Sequence, residues 1–224
     1  MSTSETEADK GDWFYFAVKR LMDLLLAVGL GIIFLPVCAV TAVVIKLTSV
    51  GPVFADTPPR VGRGGRLFRT LKFRSMIVNA HQMLTSDPKF KKLYEEYKRS
   101  SYKLYDDPRV TPVGKFIRKY SIDEVPQFLN VLKGEMSVVG PRPYYRDELV
   151  EQTERYPKTR GLVEEVLSVK PGITGYWQVS GRSRVNFDKR IEMDAGYARR
   201  KSLRWDVMIL LKTPWAMLSG KGAH

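Results

Sequence analysis

The stretch KRLMDLLLAVGLGIIFLPVCAVTAVVIKL, residues 19–47, carries no charged side chain between Asp23 and Lys46. As a straight helix, residues 21–47 would measure about 40 Å, against about 30 Å for the hydrocarbon core of a bilayer. The sequence therefore predicts a helix in contact with lipid. A secretory signal peptide is disfavoured because the apolar run is too long and no small-residue cleavage motif follows it.

The flanks of this helix and Pro36 argue against a plain crossing. Lys19 and Arg20 precede the apolar run and Lys46 closes it, so the positive-inside rule places both flanks on the cytoplasmic side. Pro36 lies near the middle, where it removes a backbone hydrogen bond and favours a kink. We predict a re-entrant membrane helix over residues 13–50, broken at Pro36. The alternative is an ordinary tilted single span.

The composition predicts a folded domain with a polyanionic partner. With 224 residues and 44% hydrophobic content, the chain can bury a core. Lys and Arg outnumber Asp and Glu by 37 to 24, although residues 1–12 form an acidic segment that we expect to be a disordered tail. Such an excess indicates nucleic acid, anionic inner-leaflet lipids or phosphorylated substrates.

Cysteine and histidine usage excludes several kinds of chemistry. Cys38 is the only cysteine, so no intrachain disulfide can form. His81 and His224 are far apart in the sequence, which disfavours a zinc site and a histidine-based triad. Any catalysis must therefore depend on carboxylates, lysines or tyrosines.

Residues 51–224 are predicted to form an α+β domain, mostly helical with a small β-hairpin, resting on the membrane. The hairpin surrounds the Gly62–Gly65 turn, and its second strand, Leu67–Phe73, alternates apolar and basic residues. The glycine-rich turn is either a plain turn or a phosphate cradle.

Three helical regions follow the hairpin. Residues 79–105 are predicted to be a charged helical region, with Asp87 and Pro88 fitting the N-cap and first position of a helix, and residues 148–167 are amphipathic. Residues 202–218 combine tryptophans and cations, which suits either a helix in the lipid headgroup zone or packing inside the domain.

The segment SIDEVPQFLNVLKGEMSVVGPRP, residues 121–143, contains the candidate catalytic acids. If Ser121 capped a helix, Pro126 would lack a required N–H donor, so we predict that Asp123 is the cap and Glu124 opens the first turn. Gly134 supplies the C-terminal stop. An aspartate at a helix start near cations is expected to stay ionised, which suits a nucleophile or a metal ligand.

Two rigid basic loops accompany these acids. Arg142 lies between two prolines in GPRP, and KPGITGYWQVSGR ends in Arg182. Carboxylates beside arginines and lysines are typical of phosphoryl transfer, with a divalent ion on the acids and arginines on the phosphates. Taken singly, each arginine is better explained by a surface salt bridge.

The ordered motifs carry a resemblance to a family. They are KRLMD with a proline-containing apolar helix, KFRSM, DPRVTPVGKFIRKYSIDEVPQFLNVLKGEMSVVGPRP, KPGITGYWQVSGR and Asp-x-x-Tyr at 194–197. Over residues 13–218 the chain closely resembles the monotopic bacterial phosphoglycosyl transferases, the bacterial sugar transferase family. The resemblance implies transfer of a sugar-1-phosphate from a UDP-sugar to a polyprenyl phosphate such as undecaprenyl phosphate, at the bacterial inner membrane, with release of UMP.

The resemblance also implies roles for individual residues. Asp123 would be the nucleophile that forms a covalent phosphosugar intermediate, and Glu124 would complete the pair and help to position Mg²⁺. The family's phosphate-facing positions correspond to Lys72, Arg74, Arg118, Arg142 and Arg182. One departure is Pro58, where relatives usually have glutamine, so any contact of that glutamine cannot be transferred. The identity of the sugar is open, with a weak preference for a hexose, and a homodimer is one option for the oligomeric state.

Two other functions agree less well with the sequence. A membrane-tethered binder of polyanions would explain the charge but not the acid pair, and the sequence contains no recognised nucleic-acid module. Glycoside hydrolysis would need two carboxylates facing one sugar, whereas adjacent helical residues point about 100° apart.

Overall fold

The computed structural model describes residues 3–100, 102, 104, 106–180 and 185–218, with side chains from residue 13 to residue 217 within those ranges. Its α-helices are α1 (Thr3–Thr48), α2 (Ala80–Ser86), α3 (Lys91–Arg99), α4 (Pro112–Lys119), α5 (Phe128–Lys133), α6 (Arg146–Arg155), α7 (Arg160–Leu167), α8 (Tyr176–Ser180), α9 (Phe187–Arg200) and α10 (Leu203–Leu218). Its strands are β1 (Arg60–Val61), β2 (Leu67–Phe68), β3 (Ser137–Val139), β4 (Tyr144–Tyr145) and β5 (Gly172–Thr174). The predicted α+β class, mostly helical with a small sheet, is confirmed.

Helix α1 runs from Thr3 to Thr48 with Pro36 inside it, so the helical assignment is continuous where we predicted a break. The backbone is helical from Thr3 onward, which includes most of the segment that we expected to be a disordered tail. Within the described residues, the part from Trp13 to Thr48 is the one helix long and apolar enough to cross a membrane. Its re-entrant path stays a prediction.

Both ends of the apolar part of α1 are attached to the same folded body. Near its start, Asp23 Oδ1 accepts hydrogen bonds of 2.9 Å from Ser137 Oγ and from the backbone N of Val138. Near its end, Ile45 packs against Phe73 and Ile117. No residue between Ala27 and Thr41 is buried. The middle of the helix therefore presents apolar side chains outward while its two ends are fixed.

The strands form two small sheets. β2, β1 and β4 make a three-stranded antiparallel sheet in which Arg60 pairs with both Phe68 and Tyr145. The predicted hairpin is confirmed, but its second strand ends at Phe68 rather than Phe73. β3 and β5 pair in parallel, with Ser137 opposite Gly172. A parallel pair requires a long crossover, which α6 and α7 supply.

The other helices agree with the sequence patterns in part. Asp87 and Pro88 are the N-cap and first position that we predicted, with Asp87 accepting from the backbone N of Lys89, but the turn that they begin is 3₁₀ and α3 starts only at Lys91. Residues 148–167 do not form one helix, because the chain turns at Tyr156 and Pro157 between α6 and α7. Pro157 cannot continue the hydrogen-bonding pattern of α6. The helix predicted over residues 202–218 is confirmed as α10.

Candidate active site

The acid pair lies in a 3₁₀ turn that spans Ile122–Gln127 and leads directly into α5. The prediction that Asp123 caps a helix is wrong: the residue before the turn is Ser121, in the left-handed conformation with φ 56°, and no side chain caps the turn. Pro126 is incompatible with an α-helix through these residues, since its ring would clash with the carbonyl four positions earlier. The predicted stop at Gly134 is confirmed, with φ 81°.

Lys72 brings the two acids into one site. Its Nζ lies 2.5 Å from Glu124 Oε1 and 4.0 Å from Asp123 Oδ2. The Asp123 side chain is 10% exposed and that of Glu124 is 33% exposed, so the pair is partly open to solvent. One cation is therefore shared by two carboxylates at the edge of the domain.

The position of Lys72 is fixed by hydrogen bonds on either side of it. The backbone N of Leu71 donates to Asn130 Oδ1 at 2.8 Å, and Asn130 Nδ2 donates to the carbonyl of Arg69 at 2.8 Å. The backbone N of Phe73 donates to the carbonyl of Asp123 at 2.9 Å. Sequence reasoning missed Asn130; an asparagine among the apolar residues of FLNVL was the signal that could have indicated it, because a buried amide needs hydrogen-bond partners.

The pKa values of the two acids are shifted in opposite directions. Burial raises the pKa of Asp123 to about 6, although Lys72 and Arg118 both act to lower it. Burial acts the same way on Glu124, but there Lys72, followed by Arg142 and Arg60, outweighs it and the pKa of Glu124 is lowered. At neutral pH Glu124 is ionised and Asp123 is mostly ionised. The prediction of an anionic Asp123 therefore agrees with this environment, while the predicted helix cap plays no part in it.

Arg60 is a second residue that sequence reasoning did not assign to the site. It is buried, its Nη1 donates to the carbonyl of Pro143 at 3.0 Å, and its Cζ lies 3.3 Å from the centroid of the Tyr145 ring. Its charge acts on Glu124 together with that of Arg142. Its place in β1, paired with β4, could not be read from local sequence.

The loop GPRP, which carries Arg142, is held by the second predicted rigid loop. The backbone N of Gly140 donates to the carbonyl of Thr174 at 2.9 Å, and the backbone N of Gly172 donates to that of Pro141 at 2.7 Å. A side chain on Gly140 would overlap the backbone of residues 170–172. The two loops therefore meet at a contact that only glycine permits.

Asp194, the first residue of the Asp-x-x-Tyr motif, also supports this loop. Its Oδ2 accepts from the Tyr144 hydroxyl at 2.8 Å and from the backbone N of Arg142 at 3.3 Å, while its Oδ1 is buried without a hydrogen-bond partner. Burial raises the pKa of Asp194 to about 7. Tyr197 donates instead to Asp206 Oδ1 at 2.6 Å.

The structure does not bring all the predicted phosphate-binding residues together. Arg118 and Arg142 act electrostatically on the acid pair, and Lys72 touches it. The prediction for Arg74 is corrected: it is buried and donates to the carbonyls of Ser49 and Val50, at 3.0 and 2.5 Å, so it anchors the end of α1. Arg182 lies outside the described residues.

The acid pair has a donor set that suits Mg²⁺. Within the part of the chain that the structure describes, no group of three or more His, Cys, Asp or Glu side chains gathers at one point. Mg²⁺ is commonly held by one or two carboxylates together with water and substrate phosphates. Asp123 and Glu124, adjacent and partly exposed, fit that arrangement.

The fold and site define a class of protein, namely a domain attached to a long apolar helix, with two acids and several cations suited to phosphate chemistry. The sequence model of the family described as "Bacterial sugar transferase" matches residues 14–220. The chain belongs to this family.

Characterised relatives share most of the chain. It is 42% identical over 211 residues to the undecaprenyl-phosphate galactose phosphotransferase of Salmonella typhimurium, covering 92% of this chain and 42% of that protein. It is 38% identical over 216 residues to the UDP-glucose:undecaprenyl-phosphate glucose-1-phosphate transferase of Escherichia coli, covering 92% and 41%. It is 40% identical over 210 residues to the exopolysaccharide production protein ExoY of Sinorhizobium fredii, covering 92% and 88%. The chain thus spans less than half of the first two relatives and most of the third.

Proposed function

We propose that this chain transfers a sugar-1-phosphate from a UDP-sugar to undecaprenyl phosphate, giving a polyprenyl-diphospho-sugar and UMP in a pathway of surface glycan synthesis. The observation that carries the proposal is the Asp123–Glu124 pair held by Lys72 with Arg118, Arg142 and Arg60 nearby. The names of the relatives support the substrates, and the names given to ExoY proteins support the pathway.

In the first step, a carboxylate oxygen of Asp123 attacks the phosphorus that bears the sugar. The new Asp O–P bond forms as the bond from that phosphorus to the bridging oxygen breaks, and UMP leaves with the electron pair. Lys72 offsets negative charge beside the acids, and Arg142 and Arg118 supply positive charge toward the phosphates. Bound Mg²⁺, held by Asp123 and Glu124, would neutralise part of the diphosphate charge.

In the second step, a phosphate oxygen of the polyprenyl phosphate attacks the same phosphorus. The Asp O–P bond breaks and the carboxylate of Asp123 is regenerated. No histidine is needed, because the acceptor phosphate is already ionised at neutral pH.

The attachment of α1 supports a monotopic arrangement, which we propose to lie on the cytoplasmic face of the inner membrane because cations flank both ends of the apolar run. Both ends of its apolar part are tied to one body, by Asp23 at the start and by Arg74 at the end. An unbroken crossing would carry its two ends to opposite sides of the membrane. The apolar middle would therefore enter the bilayer and return, with Pro36 as the bend.

Exposed apolar side chains beside α1 support contact with the same membrane. They lie on α4, α5 and α10 and are accompanied by lysines, an arrangement typical of interfacial helices. They are Phe116, Leu129, Leu132, Leu211 and Trp215. Anionic inner-leaflet lipids are the expected partners, and nucleic acid is not.

The proposed intermediate can be tested by intact mass spectrometry. Incubating the full chain with UDP-galactose, UDP-glucose or UDP-N-acetylgalactosamine and Mg²⁺, without acceptor, should add the mass of one phosphosugar and release one UMP per chain. Asp123→Asn should abolish the adduct, while Asp56→Asn, at an exposed acid outside the site, should form it normally. If UMP appeared only when acceptor was present and no adduct formed, the two-step mechanism would be overturned.

A further inference from the structure

Several cations meet around Phe16, near the start of α1. Arg63, at the turn of the β1–β2 hairpin, places its Cζ 5.0 Å from the centroid of the Phe16 ring, and Lys201, just before α10, places its Nζ 5.5 Å from it. Arg20 lies one helical turn after Phe16 on the same face of α1. We refer to Phe16, Arg20, Arg63, Lys170 and Lys201 as the Phe16 cluster.

Arg20 and Lys170 converge at the C-terminal end of α5. A methyl group placed on Gly134 would lie 3.6 Å from Lys170 Nζ and 3.8 Å from Arg20 Nη2. Arg20 also donates to the carbonyls of Val131 and Leu132, at 2.6 and 3.0 Å. The end of α5 thus accounts for the position of Arg20, but it offers no partner to Arg63 on the hairpin.

Three cations of the cluster, Arg20, Arg63 and Lys170, carry charge that no ion pair in the described part of the chain neutralises. Among the described residues, no carboxylate lies within salt-bridge distance of Arg20, Arg63 or Lys170. Burial, followed by Arg20, Arg63 and Lys19, lowers the pKa of Lys170, and Asp23 acts in the opposite direction. Asp23 is already engaged by Lys19, Ser137 and Val138. An anion bound here would relieve repulsion that the fold leaves in place.

The place of the cluster along α1 sets its depth relative to a membrane. Arg20 directly precedes Leu21, which is 57% exposed, and Leu25 on the next turn is 66% exposed. Trp13, which precedes Arg20 in α1, is 73% exposed. Tryptophan and cations flanking an apolar helix mark the headgroup zone, where lipid phosphates lie.

We propose that the Phe16 cluster binds the phosphate of an anionic glycerophospholipid. This inference rests on the proposed membrane location. The site is distinct from that of the acceptor phosphate, because Asp123 precedes the start of α5 whereas the cluster lies at its end, about 15 Å away at the rise of a helix. The bound lipid would fix the hairpin turn and the start of α1 against the membrane surface.

The test uses Arg63→Gln with Lys170→Gln, and a control, Lys91→Gln with Lys158→Gln, which removes the same charge from exposed positions outside the cluster. Full-length chains in detergent are titrated with phosphatidylglycerol and with phosphatidylcholine, and bound lipid is counted by native mass spectrometry. We expect the original chain and the control to retain phosphatidylglycerol preferentially, and the cluster variant to lose that affinity by about tenfold or more. Equal retention by all three chains would overturn the proposal.

Two further measurements distinguish lipid binding at the cluster from the proposed reaction and from binding of the acceptor. Adduct formation from UDP-sugar without acceptor should be unchanged in the cluster variant. The same measurement shows that the variant is folded. If the double variant fails to fold, Arg63→Gln alone, on an exposed turn, replaces it. If undecaprenyl phosphate displaced phosphatidylglycerol competitively and the variant raised the KM for the acceptor, the site would belong to the acceptor and the proposal would be wrong. Failure of lipid binding alone would leave the proposed reaction intact.

Discussion

Lys72 is the residue on which the charge of both acids depends. It is the principal group that lowers the pKa of Asp123 and of Glu124 against the effect of burial. Without it, Glu124 would lose its 2.5 Å partner and the pKa of Asp123 would rise further. A lysine at this position therefore favours the anionic form of Asp123, as the proposed attack on phosphorus requires.

Replacing Lys72 should test this dependence. We expect Lys72→Met to lower the rate of UMP release by on the order of a hundredfold, because a charge beside the reacting groups is lost. Lys89→Met removes the same charge from an exposed residue and should leave the rate unchanged. Stopped-flow or quenched UMP release checks both; comparable rates in the two variants would show that Lys72 is not part of the site.

Asp194 should make stability depend on pH. Its pKa is raised to about 7 by burial, so the folded chain binds this proton more tightly than the unfolded chain does. That contribution is complete below about pH 4, the ordinary pKa of aspartate, and is lost as the pH rises through 7.

Asp194→Asn removes the titrating group while retaining an oxygen for Tyr144 and Arg142. We expect the apparent melting temperature of the variant, relative to the original chain, to increase from pH 5 to pH 8. Thermal unfolding followed by tryptophan fluorescence across that range gives the comparison. If the difference in melting temperature between the two chains stayed constant from pH 5 to pH 8, Asp194 would not titrate in this range.

At the scale of elements, the contact between the loops of Gly140 and Gly172 determines where Arg142 lies. An added methyl group on Gly140 would meet backbone atoms of residues 170–172, which cannot move aside as a flexible side chain could. The loop GPRP would therefore have to shift, together with the arginine that it carries.

Gly140→Ala should accordingly lower stability by about 1–3 kcal/mol and raise the KM for UDP-sugar. Gly161→Ala is the matched control, because Gly161 lies in helix α7 with nothing within 4 Å of an added methyl group. The control should be neutral or slightly stabilised, since alanine favours helices. Donor titrations and thermal unfolding of both variants measure these effects, and identical behaviour would show that the loop contact does not position Arg142.

The elements that sequence predicted well depend on local chemistry. The Gly62–Gly65 turn, the Asp87–Pro88 turn, the stop at Gly134 and helix α10 are each specified by residues within a few positions. The acid pair was also singled out from its local sequence, whereas Lys72 was assigned through the resemblance to the family alone.

The failures involve partners that are distant in the chain. Arg74 was predicted to contact phosphate because it lies in KFRSM, yet its partners are Ser49 and Val50 at the end of α1. Arg60 joins the site through the pairing of β1 with β4, and Asn130 through a hydrogen bond to Leu71. Local patterns do not record which elements pair, so these assignments require the fold.

At the scale of the whole molecule, the side of the membrane on which each end of α1 emerges distinguishes a re-entrant helix from a plain span. In a Cys38→Ala background, Phe14→Cys and Asp56→Cys place single thiols at exposed residues before and after the apolar part. We expect a membrane-impermeant maleimide to label both only after the inner membrane is opened. Labelling of one thiol in intact cells and the other only after opening would establish a plain span.

The attachment of α1 also has a consequence for the order of events during synthesis. Lys19 Nζ lies 3.4 Å from Asp206 Oδ2, and the Tyr15 hydroxyl donates to the same carboxylate across 191 positions of sequence. The apolar helix leaves the ribosome long before α10 exists, so Lys19 and Asp23 can at first neutralise only each other, at i and i+4. We therefore expect α1 to reach the bilayer early and its contacts with α10 to form last, which makes completion of the fold a post-translational event.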